Sequence, residues 1–94
     1  MPDGGDPPPD AYGQAKRCLQ IITEALLEAG ATREDVVRTR IFLVNGEDWQ
    51  DVGRAHHEFF GDIKPASTMV VIPAILDPRW LVEIEADAVA GSGG

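Results

Sequence analysis

The 94-residue chain is long enough for one small domain and too short for two, and a chain of this size buries only a modest core. Sixteen Asp and Glu against eight Lys and Arg give a formal charge of −8. That balance argues against nucleic acid and against an anionic membrane, because binding to phosphates rests on Lys and Arg.

Residues 1–9, MPDGGDPPP, are rich in Pro, Gly and Asp and read as a flexible N-terminal segment. Residues 91–94, GSGG, read as a flexible tail, which leaves one domain over 10–90. Asp10 is a suitable N-cap for a helix reaching about Ala29, with Ala15, Cys18, Leu19, Ile22, Leu26 and Ala29 at helical spacing. Gly30 follows where a helix end favours positive φ, and Thr32 with Asp35 resembles a one-turn capping box. The β-branched run DVVRTRIFLV, residues 35–44, predicts a strand with two rows. One row is Val37, Thr39, Ile41 and Leu43; the other is Val36, Arg38, Arg40 and Phe42.

NGED, residues 45–48, carries turn and cap chemistry ahead of a second helix ending near Phe60, whose stripe is Trp49, Val52, His56 and Phe59. Thr68 to Leu76 predicts a strand with a kink or edge at Pro73, and a turn at 77–79 leads into a last strand from Trp80 to Val89. In that last strand Val82, Ile84, Ala86 and Ala88 alternate with Glu83, Glu85 and Asp87. The order α-β-α-β-β implies an α+β sandwich of two layers, with both helices on one sheet face. The other face would carry Arg38, Arg40 and Phe42 beside the carboxylate row, which suggests burial against a second copy.

No run of apolar residues approaches the roughly 20 needed to span a membrane. The single cysteine, Cys18, falls on the apolar stripe of the first helix as an inert thiol, and its being alone fits a cytoplasmic location. His56 and His57 are helix neighbours whose side chains diverge by about 100 degrees, so they cannot chelate one ion together. His56 reads as a packed histidine and His57 as an exposed one. No zinc set, nucleophile–base pair, phosphate loop or basic aromatic surface stands out, which leaves a ribonuclease reading without residues to carry it.

Three stretches in one order, EAGATREDVVRTRIFLVNGEDWQDVGRAHHEFFGD, KPASTMVV and LVEIEADAV, resemble the YjgF/RidA family, also called Rid or endoribonuclease L-PSP-like. The resemblance runs from about Gln14 to Val89. It implies a chorismate-mutase-like fold with a mixed sheet, a homotrimer, and a small-molecule ligand in an inter-subunit cleft. It also implies hydrolysis of reactive imines or enamines with no cofactor and no metal. Family members carry further strands ahead of the first helix. The expectation is therefore a native protein longer than 94 residues, or a sheet lacking N-terminal strands and exposing an abnormal edge.

The family's imine-hydrolysing branch has an arginine after Pro-Ala that grips a substrate carboxylate; Ser67 stands there in this chain. Met69 stands in the place of a cysteine, and Gly53 in that of an asparagine. Glu83 alone remains in step with the family site. Its catalytic role would be to orient or activate water for attack on a C=N carbon. The row pattern alone reads it instead as a cross-strand partner of Arg38 or Arg40. Ser67, Thr68 and Met69 are candidate substrate-binding residues through hydroxyls or backbone amides. Arg38 and Arg40 could replace the lost arginine, although neutralising the acidic row is the simpler use of them. Two functions stay open: an imine/enamine hydrolase of the deaminase type, and a non-catalytic ligand-binding or interaction protein of the same fold.

Overall fold

The first helix, α1, spans Ala11–Glu28 in the computed structural model, which describes residues 8–91. The flexible segments expected at 1–9 and 91–94 fall outside the described residues at 1–7 and 92–94. Asp10 caps α1 as expected: its Oδ1 accepts from the Gly13 N–H at 2.8 Å, satisfying one of the donors left over at a helix start. The helix ends in a Schellman arrangement. Ala31 N–H reaches the Leu26 carbonyl at 2.8 Å and Gly30 N–H the Leu27 carbonyl at 3.2 Å, while Gly30 adopts φ 85. A side chain there would be strained, so glycine is required by the backbone.

After a 3-10 turn at Arg33–Asp35, strand β1 covers Val36–Leu43. Asp35 closes the turn on Thr32, whose N–H donates to Asp35 Oδ2 at 3.0 Å. A second 3-10 turn at Gly46–Asp48 leads into helix α2, Trp49–Phe60. Strand β2, Ala66–Val71, lies parallel to β1, and strand β3, Val82–Ala88, antiparallel to it, so the sheet order is β2-β1-β3. Helix α1 packs on α2 and on β3. The core between the layers includes Leu19, Ile41, Leu43, Val52, Phe60, Trp80 and Val82. Each large apolar side chain buried there contributes about 1.5–3 kcal/mol.

Four expectations are corrected. The two rows of β1 break at its start: Val36 is buried and Val37 exposed. The cause is a register shift between Val36 and Arg38, where β1 carries one residue more than β3. Val36 therefore belongs to the core and not to the open face. Trp49, placed on the apolar stripe by its spacing, is 56% exposed; at the first residue of α2 it has no apolar layer over it, and Val52, Ala55 and Phe60 do the packing. Strand β2 starts at Ala66 and stops at Val71, well short of Leu76. The last ladder bond is Ile72 N–H to the Leu43 carbonyl at 2.8 Å, and Pro73 has no N–H to continue it. Strand β3 starts at Val82 because the N–H groups of Trp80 and Leu81 are held elsewhere, although the Leu81 carbonyl still accepts from Val44 N–H at 3.0 Å. Trp80 N–H turns back to the Asp77 carbonyl, and Leu81 N–H donates to Gln14 Oε1 at 2.6 Å.

Candidate functional site

Cross-strand register divides the candidate residues between the two sheet faces. Residues opposite one another share a face. Arg38, Arg40 and Phe42 of β1 lie beside Ala66, Thr68 and Val70 of β2, and beside Asp87, Glu85 and Glu83 of β3. This is the face without helices. Ser67 and Met69 lie with Thr39 and Ile41 in the row on the helix side. One chain thus brings together Arg38, Arg40, Thr68 and Glu83 on one face, and Ser67 and Met69 on the other.

On the open face the charges are sorted. Arg40 Nε lies 2.9 Å from Glu85 Oε1, and its Nη1 lies 3.0 Å from Asp87 Oδ2. These hydrogen bonds, to Glu85 first and then to Asp87, hold the guanidinium even more firmly protonated than usual. Arg40 therefore serves as the neutralising cation of the row. Glu83, opposite Phe42, and Arg38, opposite Asp87, make no hydrogen bond or ion pair among the described residues. Both are exposed.

On the helix side three polar groups form a chain that sequence reasoning missed. Thr39 Oγ1 lies 2.8 Å from His56 Nε2 and 3.0 Å from Ser67 Oγ. Thr39 is 0% exposed, His56 half-buried and Ser67 exposed, so the chain runs from the interior to the surface. Burial lowers the pKa of His56 below the usual 6.5, and the charge of His57 lowers it further. The imidazole is accordingly neutral at pH 7. The available sequence signal was a polar residue on each of two apolar rows, Thr39 in β1 and His56 in α2.

A cleft of about 550 Å³ opens at the start of β1 and β2, beside Glu34, Val37, Asp62, Lys64, Pro65 and Ala66. None of the expected site residues lines it. Among the described residues no group of three His, Cys, Asp or Glu side chains is placed to hold a metal ion, and no helix is long and apolar enough to cross a membrane.

The sequence profile of the Endoribonuclease L-PSP family matches residues 2–90. An uncharacterised protein of Streptomyces coelicolor is 39% identical over 83 residues, covering 88% of this chain and 62% of that protein. The crystal structure of Rv2704 from Mycobacterium tuberculosis, described as a member of the YjgF/YER057c/UK114 family, superposes with a TM-score of 0.84 at 46% identity. That likeness covers 90% of this chain and 70% of the other. The YjgF gene product of E. coli superposes with a TM-score of 0.85 at 28% identity, over 94% of this chain and 71% of the other. The chain spans 61–65% of the length of the first curated relatives it matches. Two helices on one face of a mixed three-stranded sheet agree with the chorismate-mutase-like fold of these neighbours. The chain belongs to the Endoribonuclease L-PSP family, the YjgF/RidA group of proteins.

Proposed function

We propose that the protein hydrolyses a small imine or enamine to the carbonyl compound and ammonia, in a cleft between copies of a closed homo-oligomer, a homotrimer by its resemblance. The observation that carries this reading is the state of Glu83. Two of the three carboxylates in its row are tied to Arg40, and Glu83 is left exposed and without a partner among the described residues. A free carboxylate beside Phe42 can accept a hydrogen bond from water and aim its oxygen at a C=N carbon. Thr68 and the backbone of β2 are the groups available to hold the substrate.

The cleft draws on two copies. Ser67 is level with Thr39, while Glu83 is level with Phe42 and two strands away. Strand spacing and rise put their Cα atoms roughly 14 Å apart, with side chains on opposite faces. Ser67, at the place of the family's arginine, and Glu83 can meet one substrate only if each comes from a different subunit.

The test generates a neutral imine with an amine oxidase and traps it with semicarbazide. Wild-type protein is expected to reduce the trapped product well below the uncatalysed level, and Glu83→Gln to leave it close to that level. Specific binding of a small carbonyl compound with no acceleration on any imine would favour the non-catalytic alternative.

A further inference from the structure

We infer that His56 and Thr39 act through Ser67 as a proton relay, so that a hydroxyl able to pass protons stands where the family's fixed cation would be. This rests on the proposed imine hydrolysis and names the residues that move its protons. The heavy-atom chain is continuous: Ser67 Oγ to Thr39 Oγ1 at 3.0 Å, and Thr39 Oγ1 to His56 Nε2 at 2.8 Å. Hydroxyl protons follow the network, so the same atoms serve both directions. In one, Ser67 donates to Thr39 and Thr39 to a neutral Nε2. In the other, the imidazole donates to Thr39 and Thr39 to Ser67, whose own O–H then points outward.

Several features set the chain apart from an ordinary buried hydrogen bond. Its outer end is exposed while Thr39 is fully buried, so the surface hydroxyl has a dry connection to a titratable ring. Chains of this kind polarise their members, more so in a low dielectric. The ring packs against Phe60 at 5.2 Å between centroids, which fixes its plane. On its own helix the charge that acts on it is His57. From β1 and β2 the polar groups it meets directly or through Thr39 are the two hydroxyls. Among the described residues no carboxylate pairs with it. It is therefore kept as a neutral base near pH 7.

Water adds through oxygen to the carbon of the protonated imine, and the proton it sheds passes to Ser67 as those of Ser67 and Thr39 each move one place towards His56. The resulting imidazolium returns a proton by the same route to the nitrogen of the adduct. The C–N bond then breaks, the carbonyl forms, and nitrogen leaves with the remaining hydroxyl proton as ammonium.

Three variants test this in the imine assay, with circular dichroism as the check on folding. His56→Gln keeps a polar group facing Thr39 and cannot titrate. Thr39→Val keeps the shape and cuts the chain; Thr39→Ser restores it. For wild type the relay predicts an acid limb in kcat below pH 6.5, with Glu83→Gln setting the background. His56→Gln and Thr39→Val should each lower kcat tenfold or more at nearly constant KM, His56→Gln should remove that limb, and Thr39→Ser should recover most of the rate. A wild-type protein that accelerates no imine overturns the underlying reading and the relay with it. An active protein whose kcat and acid limb survive His56→Gln overturns the relay alone.

Discussion

Arg40 Nη1 stands 3.0 Å from Asp87 Oδ2, two residues along β3 from its direct partner Glu85. A single guanidinium thus spans two carboxylates of β3, and neighbouring Arg38 spans none. Removing Arg40 would leave three carboxylates roughly 7 Å apart along one strand face without a cation between them. Arg40→Met is expected to lower the urea midpoint at low ionic strength, with the deficit shrinking in 1 M salt, where screening acts over about 3 Å. Arg38→Met should leave the midpoint nearly unchanged at both salt concentrations.

Gln14 is a polar residue held in the core, 1% exposed. Its Nε2 donates to the carbonyls of Pro8 and Arg79 at 2.9 and 3.0 Å, and its Oε1 accepts from Leu81 N–H. It fastens α1 to the approach into β3. Gln14→Leu keeps the bulk and leaves these backbone groups unmade, at about 1–3 kcal/mol for each one that stays buried. Urea unfolding should show a loss within that range or above it, with the final segment before β3 losing hydrogen-exchange protection first.

Acid should weaken the fold through His56 before it reaches the paired carboxylates. Burial lowers the folded pKa of His56 below 6.5, so the unfolded chain takes up the proton first. Its contribution is complete above pH 6.5 and is lost as pH falls through the lower folded value. Asp77, held down to about 2 by hydrogen bonds from Arg79, keeps its contribution until far lower pH. Thermal melts between pH 7.5 and 5 should therefore show a decline in wild type that is smaller in His56→Gln.

Ser67 cannot offer the paired donors with which an arginine grips a carboxylate. Imines made from amino acids by an amino-acid oxidase should accordingly be poor substrates beside neutral imines. Ser67→Arg, which also removes the relay hydroxyl, should raise kcat/KM for the amino-acid-derived imines relative to neutral imines by about tenfold or more, in line with the ~1.5–3 kcal/mol of a hydrogen bond to a charged group. An unchanged ratio between the two substrate classes would show that position 67 does not contact the substrate carboxylate.

Local chemistry made much of this fold legible. Asp10, Gly30 and the Thr32/Asp35 pair mark their turns by backbone requirements that neighbouring residues alone satisfy. The alternation at 82–88 assigns Ile84 to the core and Glu83 to the open face without knowledge of a partner strand. What could not be read depends on pairing between distant segments. Whether Arg38 or Arg40 neutralises the acidic row is decided by cross-strand register, as is the extra residue that turns Val37 outward. The Ser67–Thr39–His56 chain needs a parallel alignment of β1 with β2 and His56 of α2 brought onto Thr39 of β1, which no spacing within one element encodes. Pro73 gave its warning, yet the apolar residues beyond it still resembled a strand.

Mixing two inactive proteins tests whether the hydrolytic site is assembled from opposite sheet faces of two copies. Glu83→Gln removes the carboxylate, and Ser67→Leu blocks the other side. If each cleft takes Ser67 from one subunit and Glu83 from its neighbour, random mixed oligomers contain intact clefts at about one in four. Co-refolded equal mixtures should then recover roughly a quarter of the wild-type rate of imine hydrolysis, while each variant refolded alone stays inactive. Mixed oligomers, verified by native mass spectrometry, that recover no activity would contradict the account.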